Sequence, residues 1–284
     1  KKISPKQKNL TVGELTKINN LFPKKSLGQN YIFDQNLTNR IVRSAGTLTD
    51  CNVIEIGPGP GSLTRSIILK NPKNFLTIEK DPRFAKLLED LSKKSSKKIK
   101  IIYADALKYN FSNLFKSSGS YKIIANLPYN VSLPLLFKFL EYKKFVKSLT
   151  LLFQKEVANR ILALPKNKSY GRVSVIMQNN FRIEKLFDIN PKSFFPKPKV
   201  FSTLLNLYPK ETTYNKDQME CLSLVTKAAF GQRRKMLKSS LKELRINIAE
   251  LLEKTKIQVH QRAEEIPIEE FLKLAKNYSR LRKK

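Results

Sequence analysis

The sequence is poor in the residues that build several common kinds of site. It holds one histidine, His260, so a histidine-based triad or a multi-histidine metal centre is excluded, and no metal is expected. Its two cysteines, Cys51 and Cys221, lie far apart without metal-ligand spacing. They argue against a disulfide framework and fit a reducing compartment. No apolar run approaches the ~20 residues of a membrane span. The first residues (KKISPKQKNL) are basic but lack an apolar h-region, so no secretory signal is expected and the protein reads as cytoplasmic. Acidic residues are also scarce: 23 Asp and Glu face 55 Lys and Arg, a net charge of +32 over 284 residues. That imbalance favours a polyanionic partner, nucleic acid above all, through release of counterions.

What is present is a core, with 41% hydrophobic residues, and a recognisable organising stretch. Asn52–Ile56 is apolar and largely β-branched, as a buried strand requires. Gly57, Gly59 and Gly61 follow at once, and Ser62, Leu63 and Thr64 open a helix. Strand, glycine turn and helix in that order form the first crossover of an open α/β sheet, where ligands sit beyond the carboxyl ends of strands. Further strands are expected at Asn74–Glu79, Ile99–Tyr103, Tyr121–Ala125 and Ser148–Phe153, alternating with helices. Among these, Asp34 is an N-cap and Gly46 a stop for one helix, and Asp81-Pro82 starts another. The pattern predicts a mostly parallel, doubly wound sheet. Residues 181–189 and 200–208 read as strands able to add an antiparallel edge. Beyond Asp217 only helices are expected, one of them carrying Met236, Leu237, Leu241 and Leu244. The predicted division is a basic N-terminal arm (1–23), an α/β domain (24–209) and a small all-helical domain (210–284).

The glycine spacing is G-x-G-x-G, with Ser62 in the place where a dinucleotide fingerprint needs its third glycine. No Lys-Ser or Lys-Thr pair follows, which excludes a phosphate-cradling P-loop. Glu79 lies 22 residues beyond Gly57 (79 − 57), at a strand end, where a carboxylate can accept both hydroxyls of a ribose. Asp105 ends the next strand and can accept from an adenine amino group. A nucleoside without a pyrophosphate fits best, and S-adenosylmethionine is such a ligand. Asn126-Leu127-Pro128-Tyr129 ends the fourth strand and points at the same crevice. An adenine N6 is a weak nucleophile because its lone pair is delocalised. The Asn126 side-chain oxygen and the Leu127 carbonyl can hold its two N–H groups and aim the lone pair at a methyl donor. Pro128 stiffens the turn, Tyr129 offers a stacking face, and no strong general base is required.

The motifs KKSLGQNYIFD, IEIGPGPGSLT, IEKD, NLPYNVS, LLFQKEVANR, SYGRVSV, FFPKPKV and AFGQRRKML together resemble the ribosomal RNA adenine N6,N6-dimethyltransferase family, in its small-subunit type. The likeness runs from about Lys24 to the helical tail. It implies a class I methyltransferase (Rossmann-like) fold with S-adenosyl-L-methionine as cofactor. The implied reaction is N6,N6-dimethylation of two adjacent adenosines near the 3′ end of small-subunit rRNA during ribosome biogenesis, by a monomer. By position it implies that Asn30 and Ile32 close over the cofactor, and that Gly57 lies under its methionine portion. Glu79 would bind the ribose, Asp105 the cofactor adenine, and Asn126 the reacting end. Phe195 would stack on the target base opposite Tyr129. The family's Asn-Phe-Leu after the glutamine reads Asn30-Tyr31-Ile32 here, and its F-x-P-P-P-K reads FFPKPK; neither change removes a chemical group from the site. Arg233, Arg234, Lys235 and Lys238, at a predicted helix start, are expected to contact RNA phosphates, with Arg40, Arg43, Arg160 and Arg172 as weaker candidates. Two other readings remain: methylation of large-subunit rRNA, and a non-catalytic RNA-binding assembly factor on the same fold.

Overall fold

In the computed structural model, residues 10–95, 99–115, 120–211, 214–253, 255–258 and 260–283 are described. Part of the predicted arm (1–9) lies outside them. Two compact units make up the chain: residues 1–155 with 184–209, and residues 156–183 with 210–284.

The first unit is built on strand β2 (Asn52–Ile56), whose β-branched Val53, Ile54 and Ile56 are buried. It pairs in parallel with β3 (Asn74–Glu79) on one side and β5 (Tyr121–Ala125) on the other. Strand β4 (Ile99–Tyr103) extends the β3 side, and β6 (Val146–Gln154) extends the β5 side. Strand β9 (Ser202–Pro209) then runs antiparallel to β6, and β7 (Phe181–Ile189) closes the order β4-β3-β2-β5-β6-β9-β7. The predicted antiparallel addition is therefore present, with β9 inserted between β6 and β7. Chain order reverses between β2 and β5, and that switch point opens a crevice at the strands' carboxyl ends.

Local chemistry explains the helices that flank it. Helix α2 (Gln35–Ser44) starts where Asp34 accepts from the Asn36 and Leu37 N–H groups, and it buries Ile41 and Val42. Helix α3 (Ser62–Ile68) follows the glycine turn, and α4 (Ala85–Lys94) buries Leu87, Leu88 and Leu91. Within the predicted arm, residues 12–18 form helix α1 (Val12–Ile18), closed by a Thr11/Glu14 capping box, and Leu21 is buried with Tyr31 and Phe84. Two short strands were not anticipated: β1 (Tyr31–Ile32) pairs antiparallel with β8 (Phe194–Phe195).

The second unit is helical: α6 (Lys155–Leu162), α7 (Arg172–Asn180), α8 (Lys216–Gly231), α9 (Leu237–Ser240), α10 (Ile248–Leu252) and α11 (Ile268–Leu281). Its core gathers Tyr170, Val175, Leu222, Val225, Leu237, Leu251, Phe271 and Leu274. The expected boundary lay at 209/210; the compact units instead group residues 156–183, including the first residues of β7, with the tail. Inside this unit the Tyr170 hydroxyl donates to the Ile266 carbonyl at 3.0 Å, and the Gln178 side chain caps α6 by donating to Ile161 and Ala163. The predicted helix through Met236 and Leu244 is shorter than expected. It comprises the four residues of α9 and a 3₁₀ turn, Leu241–Leu244.

Candidate active site

One pocket opens at the switch point, lined by the turns after β2, β3, β4 and β5 and by residues 26–32. Of the three glycines in the turn after β2, Gly57 and Gly59 line it and Gly61 does not. All three have positive φ, but they differ in what surrounds them. A Cβ on Gly61 would lie 2.6 Å from Leu91 Cδ1, so that glycine serves close packing against α4. A Cβ on Gly57 would meet nothing within 4 Å, and Gly57 lines the pocket. Its missing side chain leaves room for a ligand.

Glu79 is buried at the end of β3, with Oε2 accepting from the Gly59 N–H at 2.9 Å and Oε1 from the Asp81 N–H at 2.7 Å. Burial raises its carboxyl above the ordinary range, and the backbone donors oppose that rise. Each oxygen keeps a lone pair for a diol. Asp105 accepts from the Leu107 N–H at 2.9 Å and pairs with Lys80 at 2.9 Å. The Lys80 ammonium holds that carboxyl below the usual range. Lys80 thus serves Asp105, while its neighbour Glu79 faces the backbone.

Asn126 follows β5. Its Nδ2 donates to the Asn30 carbonyl at 2.9 Å, which fixes the amide's orientation. Oδ1 has no partner among the described residues and is left to accept. Asn30 is itself turned by its Nδ2 donating to the Gly28 carbonyl. Asn30, Ile32, Gly57, Glu79, Asp105, Asn126, Leu127 and Pro128 all line this pocket. Ile32 does so while packed into the core of the sheet's helical layer, and the Leu127 side chain is buried. Tyr129 and Phe195 stand outside the lining. The Tyr129 hydroxyl bonds the Ser202 hydroxyl at 2.7 Å, and exposed Phe195 pairs with Tyr31 and packs on Phe33 with ring centroids 5.8 Å apart.

Three features were invisible in the sequence pattern. Glu55, inside β2, is 1% exposed, lines the pocket, and is pushed up to about 8 by burial. The Thr64 hydroxyl donates to its Oε2 at 2.7 Å, while Oε1 has no partner. The Ser62 hydroxyl, also buried and lining the pocket, is likewise unpartnered. An acceptor and a donor left unmet beside Gly57 match the ammonium and carboxylate of an amino-acid moiety, so the residues present fit S-adenosylmethionine. Lys138, on helix α5 (Tyr129–Glu141), donates to the carbonyls of Ala106, Leu107 and Tyr109 at 3.0, 2.6 and 2.6 Å. It holds the loop that follows Asp105. Finally, Gln29 donates to Asp81 at 3.1 Å, and Arg83 binds both Asp81 (2.6 Å) and the Phe22 carbonyl (3.1 Å). These bonds strap residues 22–31 to the end of β3.

The basic cluster lies in the second unit, mostly in the turn before α9. Arg234, Lys235 and Lys238 are exposed. Arg233 instead donates to the Lys168 and Tyr170 carbonyls at 2.7 and 2.9 Å and pairs with Glu264 at 3.2 Å. Of the weaker candidates, Arg40 stacks on Phe187, Arg160 pairs with Glu156, Arg172 donates to Ser223 and Arg43 is exposed. Among the described residues no group of three or more His, Cys, Asp and Glu is placed to hold a metal, and no helix is long and apolar enough to cross a membrane.

Doubly wound, with its pocket at the switch point, the sheet has the class I methyltransferase fold. A solved dimethyladenosine transferase from Plasmodium falciparum superposes with a TM-score of 0.72 at 24% identity, covering 86% of this chain and 95% of that one. In sequence, the pattern of ribosomal RNA adenine dimethylase matches residues 20–280, and the chain belongs to that family. Similar relatives are each named ribosomal RNA small subunit methyltransferase A. The one from Wolbachia pipientis subsp. Culex pipiens is 48% identical over 257 residues, 90% of this chain and 97% of its own. The one from Brucella canis is 44% identical over 266 residues, 92% and 95% respectively.

Proposed function

We propose that this protein is an S-adenosylmethionine-dependent enzyme that dimethylates N6 of two adjacent adenosines near the 3′ end of small-subunit rRNA, acting as a monomer on an immature particle. The observation that carries the reading is the amide of Asn126. Its nitrogen is committed to Asn30 and its oxygen is left to accept, in a residue that lines the pocket of a chain of the adenine dimethylase family.

The cofactor supplies an electrophilic methyl group. Glu79 and Asp105 would hold its nucleoside, and Glu55 and Ser62 its amino-acid end. The Asn126 oxygen and the Leu127 carbonyl accept the two N–H groups of the target amine, which biases the nitrogen toward tetrahedral geometry. Tyr129 and Phe195 sandwich the flipped base, a mode that makes only the extruded base readable. Positioning and exclusion of water supply most of the acceleration, and the amine's proton leaves to solvent after the N–C bond has formed.

The direct test incubates the protein with labelled S-adenosylmethionine and immature small subunits and then maps the modified base. Methyl groups on two adjacent adenosines of small-subunit rRNA are expected. Label in the large subunit, or none, would overturn the proposal. Asn126→Ala should lower transfer on the order of 10²–10³-fold, as loss of one preorganised polar contact does, while cofactor binding survives.

A further inference from the structure

The segment Phe195–Phe201 (FPKPKVF) joins β8 to β9 and is anchored at both ends beside the reaction site. At one end Phe195 is registered with Tyr31, next to Asn30, whose carbonyl receives Asn126. At the other, the Ser202 hydroxyl bonds that of Tyr129 at 2.7 Å, and the Lys155 N–H donates to the Phe201 carbonyl at 2.9 Å. Between these anchors Phe195, Val200 and Phe201 are 46%, 43% and 44% exposed, with Lys197 and Lys199 also in solvent. Single exposed apolar residues need no explanation, but three within seven residues, interleaved with lysines and tied at their ends to Tyr31 and Tyr129, do. Pro196 and Pro198 restrict the backbone, so the rings are held outward at little entropic cost. Lys155 adds a cation 5.6 Å from the Phe201 ring centroid, itself held by Asp188 at 3.0 Å. Phe195 and Tyr129 are taken up by the proposed target base. Phe201, Lys197 and Lys199 are not.

We propose that Phe201 is a second stacking surface, which receives the base of the RNA nucleotide next to the target adenosine, with Lys197 and Lys199 on its phosphates. This rests on the reading of the site given above. Flipping one of two adjacent adenosines into the pocket strips its neighbour of a stacking partner. An aromatic face is a sequence-tolerant replacement, and ammonium groups beside it neutralise the backbone. The same shelf would hold whichever adenosine is waiting while the other is modified.

The experiment uses small-subunit precursor particles in which 2-aminopurine replaces one of the two adjacent adenosines, so that quenching reports stacking. Wild-type protein should quench the probe. Phe201→Ala should abolish the quench and weaken particle binding about tenfold without changing cofactor affinity, and Phe201→Tyr should restore both. Replacing Lys197 and Lys199 by Gln should lower the salt slope of binding by about 1.4, at roughly 0.7 per phosphate contact on a single strand. Undiminished quenching and binding in Phe201→Ala would overturn the shelf. Failure of the underlying reading looks different: wild-type protein would then neither bind nor methylate small-subunit particles. Because Phe201 is exposed, its replacement leaves folding intact, which retained cofactor binding verifies.

Discussion

Replacing Glu55 by Gln separates two opposing effects of one buried carboxylate. Glu55 is 1% exposed with one oxygen unpartnered, and burial raises its carboxyl from 4.5 to about 8, helped by the nearby charge of Glu79. The sign follows from proton uptake. Between about pH 4.5 and pH 8 the folded chain keeps a proton that the unfolded chain has released, so stability is greatest below pH 4.5. It falls as pH rises through that window, and it levels off above about 8. At pH 7 the gap from 4.5 is about 2.5 pH, which at ~1.4 kcal/mol each sets a ceiling of about 3 kcal/mol. Glutamine keeps the volume and the acceptor for Thr64, and its amide is no worse partnered than the neutral acid. The variant should therefore be about 1–3 kcal/mol more stable than wild type at pH 7, with a difference that vanishes toward pH 4.5. Bound cofactor should reverse the preference, because the ammonium proposed to face Glu55 would favour the ionised carboxylate. Wild-type protein should release about one proton on binding S-adenosylhomocysteine at pH 7, and Glu55→Gln none, with affinity roughly 10–100-fold weaker. Urea denaturation at pH 5, 7 and 8.5, and titration calorimetry in two buffers of different ionisation enthalpy, measure these quantities. A variant less stable than wild type at pH 7, or one with unchanged affinity and proton release, would refute the assignment.

Lys138→Met removes one ammonium from three carbonyls of the loop after Asp105. Cofactor affinity should fall on the order of tenfold, with kcat at saturating cofactor largely kept, and Lys138→Arg should recover part of the loss. Unchanged affinity in the methionine variant would show that the loop holds without it. In the basic cluster, neutralising Arg234, Lys235 and Lys238 should weaken rRNA binding and flatten its salt dependence without lowering thermal stability. Arg233→Ala should instead destabilise the helical unit, because its guanidinium bridges Lys168, Tyr170 and Glu264. A salt slope unchanged by the triple variant would remove the cluster from the RNA interface.

The sequence by itself determined whatever depends on neighbours along the chain. β-branched runs made the strands, Asp34 capped its helix, and alternation of strand and helix predicted the doubly wound sheet. Glycine spacing and strand-end carboxylates named Gly57, Glu79 and Asp105, because in an open parallel sheet every strand end points to one crevice. NLPY was legible for the same reason. Tertiary structure decided what depends on groups distant in sequence. Glu55 looks like one more residue of a buried strand until packing shows its oxygen unmet beside the pocket. Lys138 lies on a helix face that periodicity marks only as solvent-directed, and its partners are some 30 residues earlier. Arg233 reads as part of a basic run, yet it closes a loop more than 60 residues away. The grouping of residues 156–183 with the tail also escaped local pattern, because amphipathic helices declare that they have a buried face and not which core it meets.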